Sequence, residues 1–258
     1  MSRAAPSLVV SALLSVVFLT GCSVSPTTTT SRADGTEVTV NWEDYPGSAD
    51  VEAADLLAAP RENDVEAVGA ALFKALREAI DPQLDLTWTE SGEDGWYPAE
   101  GNGYGGESTL ITYNSRSIAT DSAPSSSSEW RSIVERASAV TEATGLGPIM
   151  LDHETPPVGT DGAAWRQEYH DRFGTKDPDR YWMWTGTAYG NSQWLAVTIT
   201  DVDRDDTGKA VDELGDEPKQ SIGFFYGATI IREKDRDAFV RALEPFSGLD
   251  KPPASHSD

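Results

Sequence analysis

Three stretches of this 258-residue chain carry side chains at spacings that chemistry uses. The first is DVDRDDTG, residues 201–208, where Asp201, Asp203 and Asp205 alternate. Alternation on a loop can turn three carboxylates toward one hard cation, and D-x-D-x-D resembles the start of an EF-hand loop. The pattern then breaks: Asp206 stands where that loop needs a glycine turn, and Asp212 where it needs a bidentate glutamate. The two readings are an acidic solvated loop and a weak extracellular Ca²⁺ site. The second stretch is GNGYGG, residues 101–106, which satisfies G-x-G-x-x-G. A dinucleotide fingerprint must follow a strand and open a helix, so that the helix N-terminus meets the pyrophosphate. This one opens a strand and reads as a glycine-rich connection. The third is histidine chemistry. His153-Glu154 and the group Glu168, His170 and Asp171 are metal-ligand types, but H-E-x-x-H fails because Pro157 occupies the second histidine position. No G-x-S-x-G or S-x-x-K marks a serine nucleophile. A glycosidase-type acidic pair has no specific signal, because 43 acidic residues place some pair of carboxylates together in any fold.

Aromatic residues form the densest feature. Trp96, Tyr97 and Tyr104 flank or sit in the glycine-rich loop, where exposed rings would stack on sugars or on a partner surface. Trp165, Tyr169 and Phe173 recur every fourth residue in AAWRQEYHDRFG, which is one face of a short helix. YWMWTGTAYGNSQW follows, with Trp182, Trp184 and Trp194. In the strand that Trp194 opens, Leu195, Val197 and Ile199 point one way and Trp194 the other. Either the short helix covers that second face, with Trp194 beneath it, or an exposed patch including Trp182 and Trp184 marks a binding site. The first is the expectation.

One further side chain has distinctive chemistry: Cys22, the only cysteine. Ahead of it stand Arg3, the apolar run LVVSALLSVVFL and two small residues, Thr20 and Gly21. That order reads as an export signal at residues 1–21, too short for a membrane span of about 20 apolar residues. Leu19-Thr20-Gly21-Cys22 resembles a bacterial lipobox. The resemblance implies diacylglycerol on the Cys22 sulfur, cleavage before Cys22 and an acylated (palmitate-type) amine, which would anchor the chain to the extracytoplasmic face of the cell membrane. A single cysteine excludes intrachain disulfides and cysteine-based metal sites. The net charge of −23 excludes nucleic acid as a bulk electrostatic partner.

The elements that must position these groups are legible from periodicity. Residues 22–36 are Ser/Thr-rich and read as a flexible linker after the cysteine, and residues 248–258 as a flexible tail. Between them, 37–247 reads as one α+β domain. VEAVGAALFKALREAI carries Val65, Val68, Leu72, Leu76 and Ile80 on one helical stripe. A second helix, EWRSIVERASAVTEATG, presents Trp130, Ile133, Val134, Ala137 and Val140, with Gly145 at its end. Strands are expected over residues 84–90, 108–118, 148–153, 181–188, 194–202 and 222–231, then a helix over 235–243. Strand connections too short for crossovers imply a mainly antiparallel sheet with helices on one face. The helix-plus-strands succession occurs twice, as two degenerate units.

The lipobox, the size, this element order and the tryptophan opening the second long helix (EWRSIVERASAVTEATGLG) resemble the LppA-like lipoproteins of actinobacteria. That family implies a surface lipoprotein with no defined activity and no catalytic motif to carry over. The functional expectation is therefore a non-enzymatic binding or interaction module of the cell envelope, with no cofactor and an envelope protein or glycan as partner. The alternatives are a cell-wall hydrolase using an acidic pair, or a weak Ca²⁺-binding surface module.

Overall fold

The clearest periodic segment forms the helix it calls for. In a computed structural model, which describes residues 25–31, 36–157, 159–215 and 217–255, Val65–Ile80 is one helix. It buries Val65, Leu72, Leu76 and Ile80, while Val68 drifts to the rim at 37% exposure and Gly69 and Phe73 complete the buried stripe. Ser127–Ala143 is the second long helix. The Ser126 hydroxyl caps it by accepting the Glu129 N–H, and Trp130, Ile133, Val134 and Ala137 are buried. Gly145 ends it at φ +85°, a left-handed turn that glycine takes without strain.

In chain order the elements are β1 (Thr27–Ser31), β2 (Glu37–Asn41), α1 (Ala53–Ala58), α2 (Val65–Ile80), β3 (Trp88–Ser91), β4 (Gly95–Pro98), β5 (Leu110–Asn114), β6 (Ser117–Thr120), α3 (Ser127–Ala143) and β7 (Met150–Leu151). Then follow α4 (Gly162–Phe173), β8 (Met183–Gly190), β9 (Gln193–Asp201), α5 (Lys209–Leu214), β10 (Gln220–Ile231) and α6 (Arg236–Leu243). All strands from β3 to β10 belong to one sheet in which every pairing is antiparallel, so the α+β expectation holds. β3 and β4 together form one edge, β5 and β6 together the next strand, then β10, β9, β8 and the short edge strand β7. The two helix-plus-strands units thus enter from opposite edges: α2 leads to β3 and α3 to β7.

Strand alternation decides the core. Trp184, Gly186 and Ala188 of β8 lie beside Ile199, Val197 and Leu195 of β9, which lie beside Ile222, Phe224 and Tyr226 of β10. This face is buried under α2 and α3, and Trp130 meets Trp184 edge-on at 5.4 Å. A β-carbon on Gly69 would fall 2.8 Å from Tyr226 Cδ1, so the glycine lets α2 lie close on that ring.

Not all helices share that face. Leu56 of α1 and Phe239 of α6 pack with Leu110 and Ile231, whose side chains point to the opposite side of the sheet. On α4, Tyr169 and Phe173 reach Tyr181, and Phe173 reaches Trp182, with ring centroids 4.3–6.1 Å apart. The expected cover of Trp194 is therefore corrected. The aromatic stripe of α4 serves Tyr181 and Trp182, whereas Trp194 lies over Gly227 on the neighbouring strand.

The described parts of two segments expected to be flexible make specific contacts. Thr27–Ser31 pairs with Glu37–Asn41, and the Trp42 indole N–H donates to Thr28 at 2.9 Å. At the other end, the Lys251 ammonium donates to the carbonyls of Ala49 and Val51, and Ser255 N–H to Gly103. Both ends gather on a satellite core of Trp42, Tyr45, Tyr104 and Phe246. The apolar segment before Cys22, Cys22 itself and His256 lie outside the described residues. No helix among the described residues is long and apolar enough to cross a membrane.

Candidate functional site

A defect in the sheet makes the site. Along β10, Gly227 opposes Asn114 but Phe224 opposes Ile118, so Ser115 and Arg116 together face Tyr226: a β-bulge. Ser115 makes the bulge affordable. Its N–H donates to Tyr226 O at 2.9 Å, and its hydroxyl accepts the Tyr226 N–H at 3.0 Å in place of the lost ladder carbonyl. The edge strand bends to match, with residues 92–94 looping between β3 and β4. The extra residue aims Arg116 outward beside that loop. Its N–H reaches Asp94 Oδ1 at 2.7 Å, and its guanidinium holds Asp94 Oδ2 at 3.0 Å and Glu90 Oε2 at 3.2 Å.

Between this edge and the outer side of α2 lies a groove of about 770 Å³. Gly69, Ala70, Phe73 and Tyr113 give it an apolar floor, and charged side chains line its walls. Three are cations and each is paired: Lys74 with Glu78 at 3.7 Å, Arg77 with Glu90 at 3.9 Å, and Arg116 with Glu90 and Asp94. Five are carboxylates. Asp81 accepts the Trp88 indole N–H, which leaves Glu66 as the carboxylate with no described ion pair or hydrogen bond. The Arg116 guanidinium holds the Asp94 carboxyl below its ordinary value, and the Tyr113 hydroxyl supports it further. Burial, then the charge of Asp94, pushes Tyr113 up to about 12, so the phenol stays neutral and donates to Asp94. An acid-base hydrolase needs a carboxyl that keeps its proton near neutrality. Asp94 is held ionised and already salt-bridged, which suits recognition rather than proton transfer. A neutral apolar floor beside two carboxylates without a described cation partner, Glu66 and Asp81, complements a small, partly apolar cation.

The residues singled out from the sequence lie apart. Trp96 packs on Tyr113 at 5.0 Å beneath the groove, and Tyr97 is exposed on the other side of the same strand. Tyr104, Trp182 and Trp184 are buried to within 1% and are core rather than ligand platforms. Two of the three satisfy their polar atom inside, and Trp182 is held by ring packing with its indole N–H unpartnered among the described residues. Trp184 Nε1 donates to Pro178 O, Tyr104 Oη to Pro252 O, and Trp182 lies against Phe173. The three aspartates of residues 201–205 do not converge. Asp201 is buried and accepts from Asp203 N–H and the Gln220 amide, while Asp205 accepts from Thr207 and Ala210 N–H, bonds that help to hold its carboxyl below the ordinary value. Among the described residues no group of three or more His, Cys, Asp or Glu is arranged to hold a metal ion. His153, at the end of β7, has a side chain only 2% exposed, against Tyr181 and Trp184.

Glu66, Phe73, Glu90, Asp94, Tyr113 and Arg116 were not singled out by spacing. The available signal was the polar triplet Asn114-Ser115-Arg116 interrupting an apolar strand, with acidic Glu90 on the strand before it and Asp94 in the loop that follows. The chain matches no protein-family model, no curated protein and no solved structure.

Proposed function

We propose that this chain is a lipid-anchored extracytoplasmic lipoprotein whose domain binds a small, partly apolar cation in the groove between α2 and the bulged edge of the sheet, without chemistry on the ligand. The observation that carries the binding part is the groove itself: apolar floor, every cation paired, and two wall carboxylates without a described cation partner, Asp81, which holds the Trp88 indole N–H, and Glu66, which holds no described hydrogen bond. A ligand amine gains the uncompensated charge of Glu66, and its apolar body gains burial against Phe73 and Tyr113 at about 25 cal/mol per Å². The anchoring part rests on the Leu19-Thr20-Gly21-Cys22 segment and its apolar lead, together with the resemblance of the sequence to LppA-like lipoproteins. The bonds from Lys251 and Ser255 fix the C-terminal segment to the same satellite core that receives β1. A tether from Cys22 would therefore leave the molecule beside that core, while the groove opens elsewhere, between α2 and β3–β6.

Two experiments test the two parts. Replacing Cys22 by Ala and fractionating the producing cells should release the protein from the membrane; a variant that stays membrane-bound with unchanged processing rejects the anchor. A thermal-shift panel of aliphatic and aromatic amines, run against the matching carboxylic acids, should find stabilisation among the amines only. At a hundredfold excess over Kd the gain is about 2.7 kcal/mol, and Glu66→Gln should abolish it. Stabilisation by the acids, or by amines equally in Glu66→Gln, rejects the groove reading.

A further inference from the structure

On the side of the sheet opposite the groove, the centre is uncovered. α1 and α6 cover one end through Leu56 and Phe239, and α4 reaches the other through Tyr181, but no side chain of the middle of β8, β9 and β10 on this side is in an apolar cluster. Here Tyr189 opposes Trp194, which opposes Gly227, and in the next row Thr187 opposes Ala196, which opposes Phe225. Tyr189 is 62% exposed, and Trp194, Thr187 and Phe225 are partly exposed.

Trp194 is held flat. A β-carbon on Gly227 would fall 2.2 Å from Trp194 Cζ2 and 2.3 Å from Cε2, so the indole rests directly on the Gly227 backbone. The rest of the side chain stays partly exposed. Only glycine permits this seat, since any larger residue would lift the ring off the sheet. Thr187 lies diagonal to it in the next row, and Thr198 two rows along the same strand, each hydroxyl both donor and acceptor.

Charge chooses between occupants. The chain carries a net −23; the strand residues of these rows present no ionisable side chain apart from the phenol of Tyr189, and the Asp152 carboxylate stands at their β7 edge, accepting the Thr185 hydroxyl. An anionic polymer meets the repulsive field of the whole molecule. A cationic one finds its complement on the acidic surface elsewhere. A second copy brings a second strongly negative body onto a face too rich in hydroxyls for a dry apolar contact. We infer that the open face around Trp194 is a docking surface for an uncharged glycan, whose sugar rings stack their C–H faces on Trp194 and Tyr189 and whose hydroxyls exchange hydrogen bonds with the flanking threonines. This surface is separate from the cation groove and does not depend on it.

The test uses the full chain and two uncharged probes, chitohexaose and cellohexaose, with polygalacturonate as the charged control, in calorimetric titrations. The expected result is saturable binding of at least one uncharged probe and none of the control. Trp194→Ala should weaken it about tenfold or more, the size of one lost stacking contact. Because Trp194→Ala also bares Gly227, Ala196→Arg and Tyr189→Ala are measured beside it. The first places charge and bulk on the platform and the second removes an exposed ring, and the melting temperature of each reports its folding. Folded variants that lose binding support the proposal. No binding of either uncharged probe by the unaltered chain overturns it, as does binding that all three variants retain. A concentration-dependent dimer in sedimentation, dispersed by Ala196→Arg, overturns it in favour of self-association.

Discussion

Asn102 offers the sharpest stability test, because one buried amide ties its own loop to the segment Trp42–Tyr45. It is fully buried in the glycine-rich loop. Its Nδ2 lies 3.1, 3.0 and 2.9 Å from the carbonyl oxygens of Trp42, Glu43 and Tyr45, and its Oδ1 accepts the N–H of Tyr104 at 2.9 Å and of Gly106 at 3.0 Å. The fit is close enough that a β-carbon on Gly106 would fall 1.9 Å from Glu43 O. Asn102→Ala removes both donor hydrogens and the acceptor and leaves buried carbonyls and amides unmatched. At about 0.5–1.5 kcal/mol net for each of about four bonds, plus the penalty for groups left dry, the loss should be about 4 kcal/mol. Asn102→Asp separates this account from a mere packing effect. The introduced carboxylate is nearly isosteric and keeps the acceptor, but it turns an oxygen toward three carbonyl oxygens. It should be at least as damaging as alanine at pH 7. Burial and those carbonyls raise the folded pKa of the introduced carboxyl above its unfolded value of about 3.9. Its stability relative to the parent is therefore best below about pH 4 and is lost as pH rises through the raised value. Urea unfolding followed by circular dichroism at pH 4 and pH 7 measures both. A loss under about 1.5 kcal/mol for Asn102→Ala, or an Asn102→Asp variant as stable as the parent at pH 7, refutes the reasoning.

Three other outcomes follow from the same structure. Gly69→Val should cost about 1–3 kcal/mol in urea unfolding, since its Cβ meets the buried ring of Tyr226 at 2.8 Å and better helix propensity cannot offset the overlap. Burial chiefly, and Arg131 next to it, hold the His153 pKa below 6.5 against the pull of Glu154, Asp152 and Asp179. The neutral ring's contribution is thus present above pH 6.5 and lost as pH falls toward the depressed value. The slope of melting temperature between pH 7 and pH 5 should accordingly flatten in a folded His153→Gln. Asp94, held low by Arg116, contributes stability above its ordinary value of 3.8 that disappears as pH falls through the lower folded value. Asp94→Asn should remove that part of the acid sensitivity, and Arg116→Ala should remove a smaller share, because the residue 116 N–H and the Tyr113 hydroxyl still support the carboxylate; pH-dependent unfolding of the two variants compares them directly.

The long helices, the long strands β8, β9 and β10 and the α+β class were legible because each is written in local periodicity, whereas β1, β2 and β4 were not. Val65, Leu72, Leu76 and Ile80 recur at the helical repeat, and Leu195, Val197 and Ile199 at the strand repeat, whatever they pack against. The acidic balance and the segment ending at Cys22 are likewise properties of the chain alone. The groove was not legible, because it depends on which strands become neighbours. Ser115 and Arg116 read as ordinary strand residues until both face Tyr226, and Glu90 and Asp94 meet Arg116 only across the bulged edge. The aromatics were misassigned for the same reason. Alternation places Trp194 opposite Leu195, but only the pairing of β9 with β10 supplies Gly227 as its seat, and only the path of α4 sends Phe173 to Trp182 rather than to Trp194. Asn102 sits in a loop that matched a phosphate-binding pattern by spacing, yet its bonds reach the carbonyl of Tyr45, 57 residues away. Sequence periodicity fixes which way a side chain points from its own backbone; what it meets there is set by contacts between distant segments, and those exist only in the folded chain.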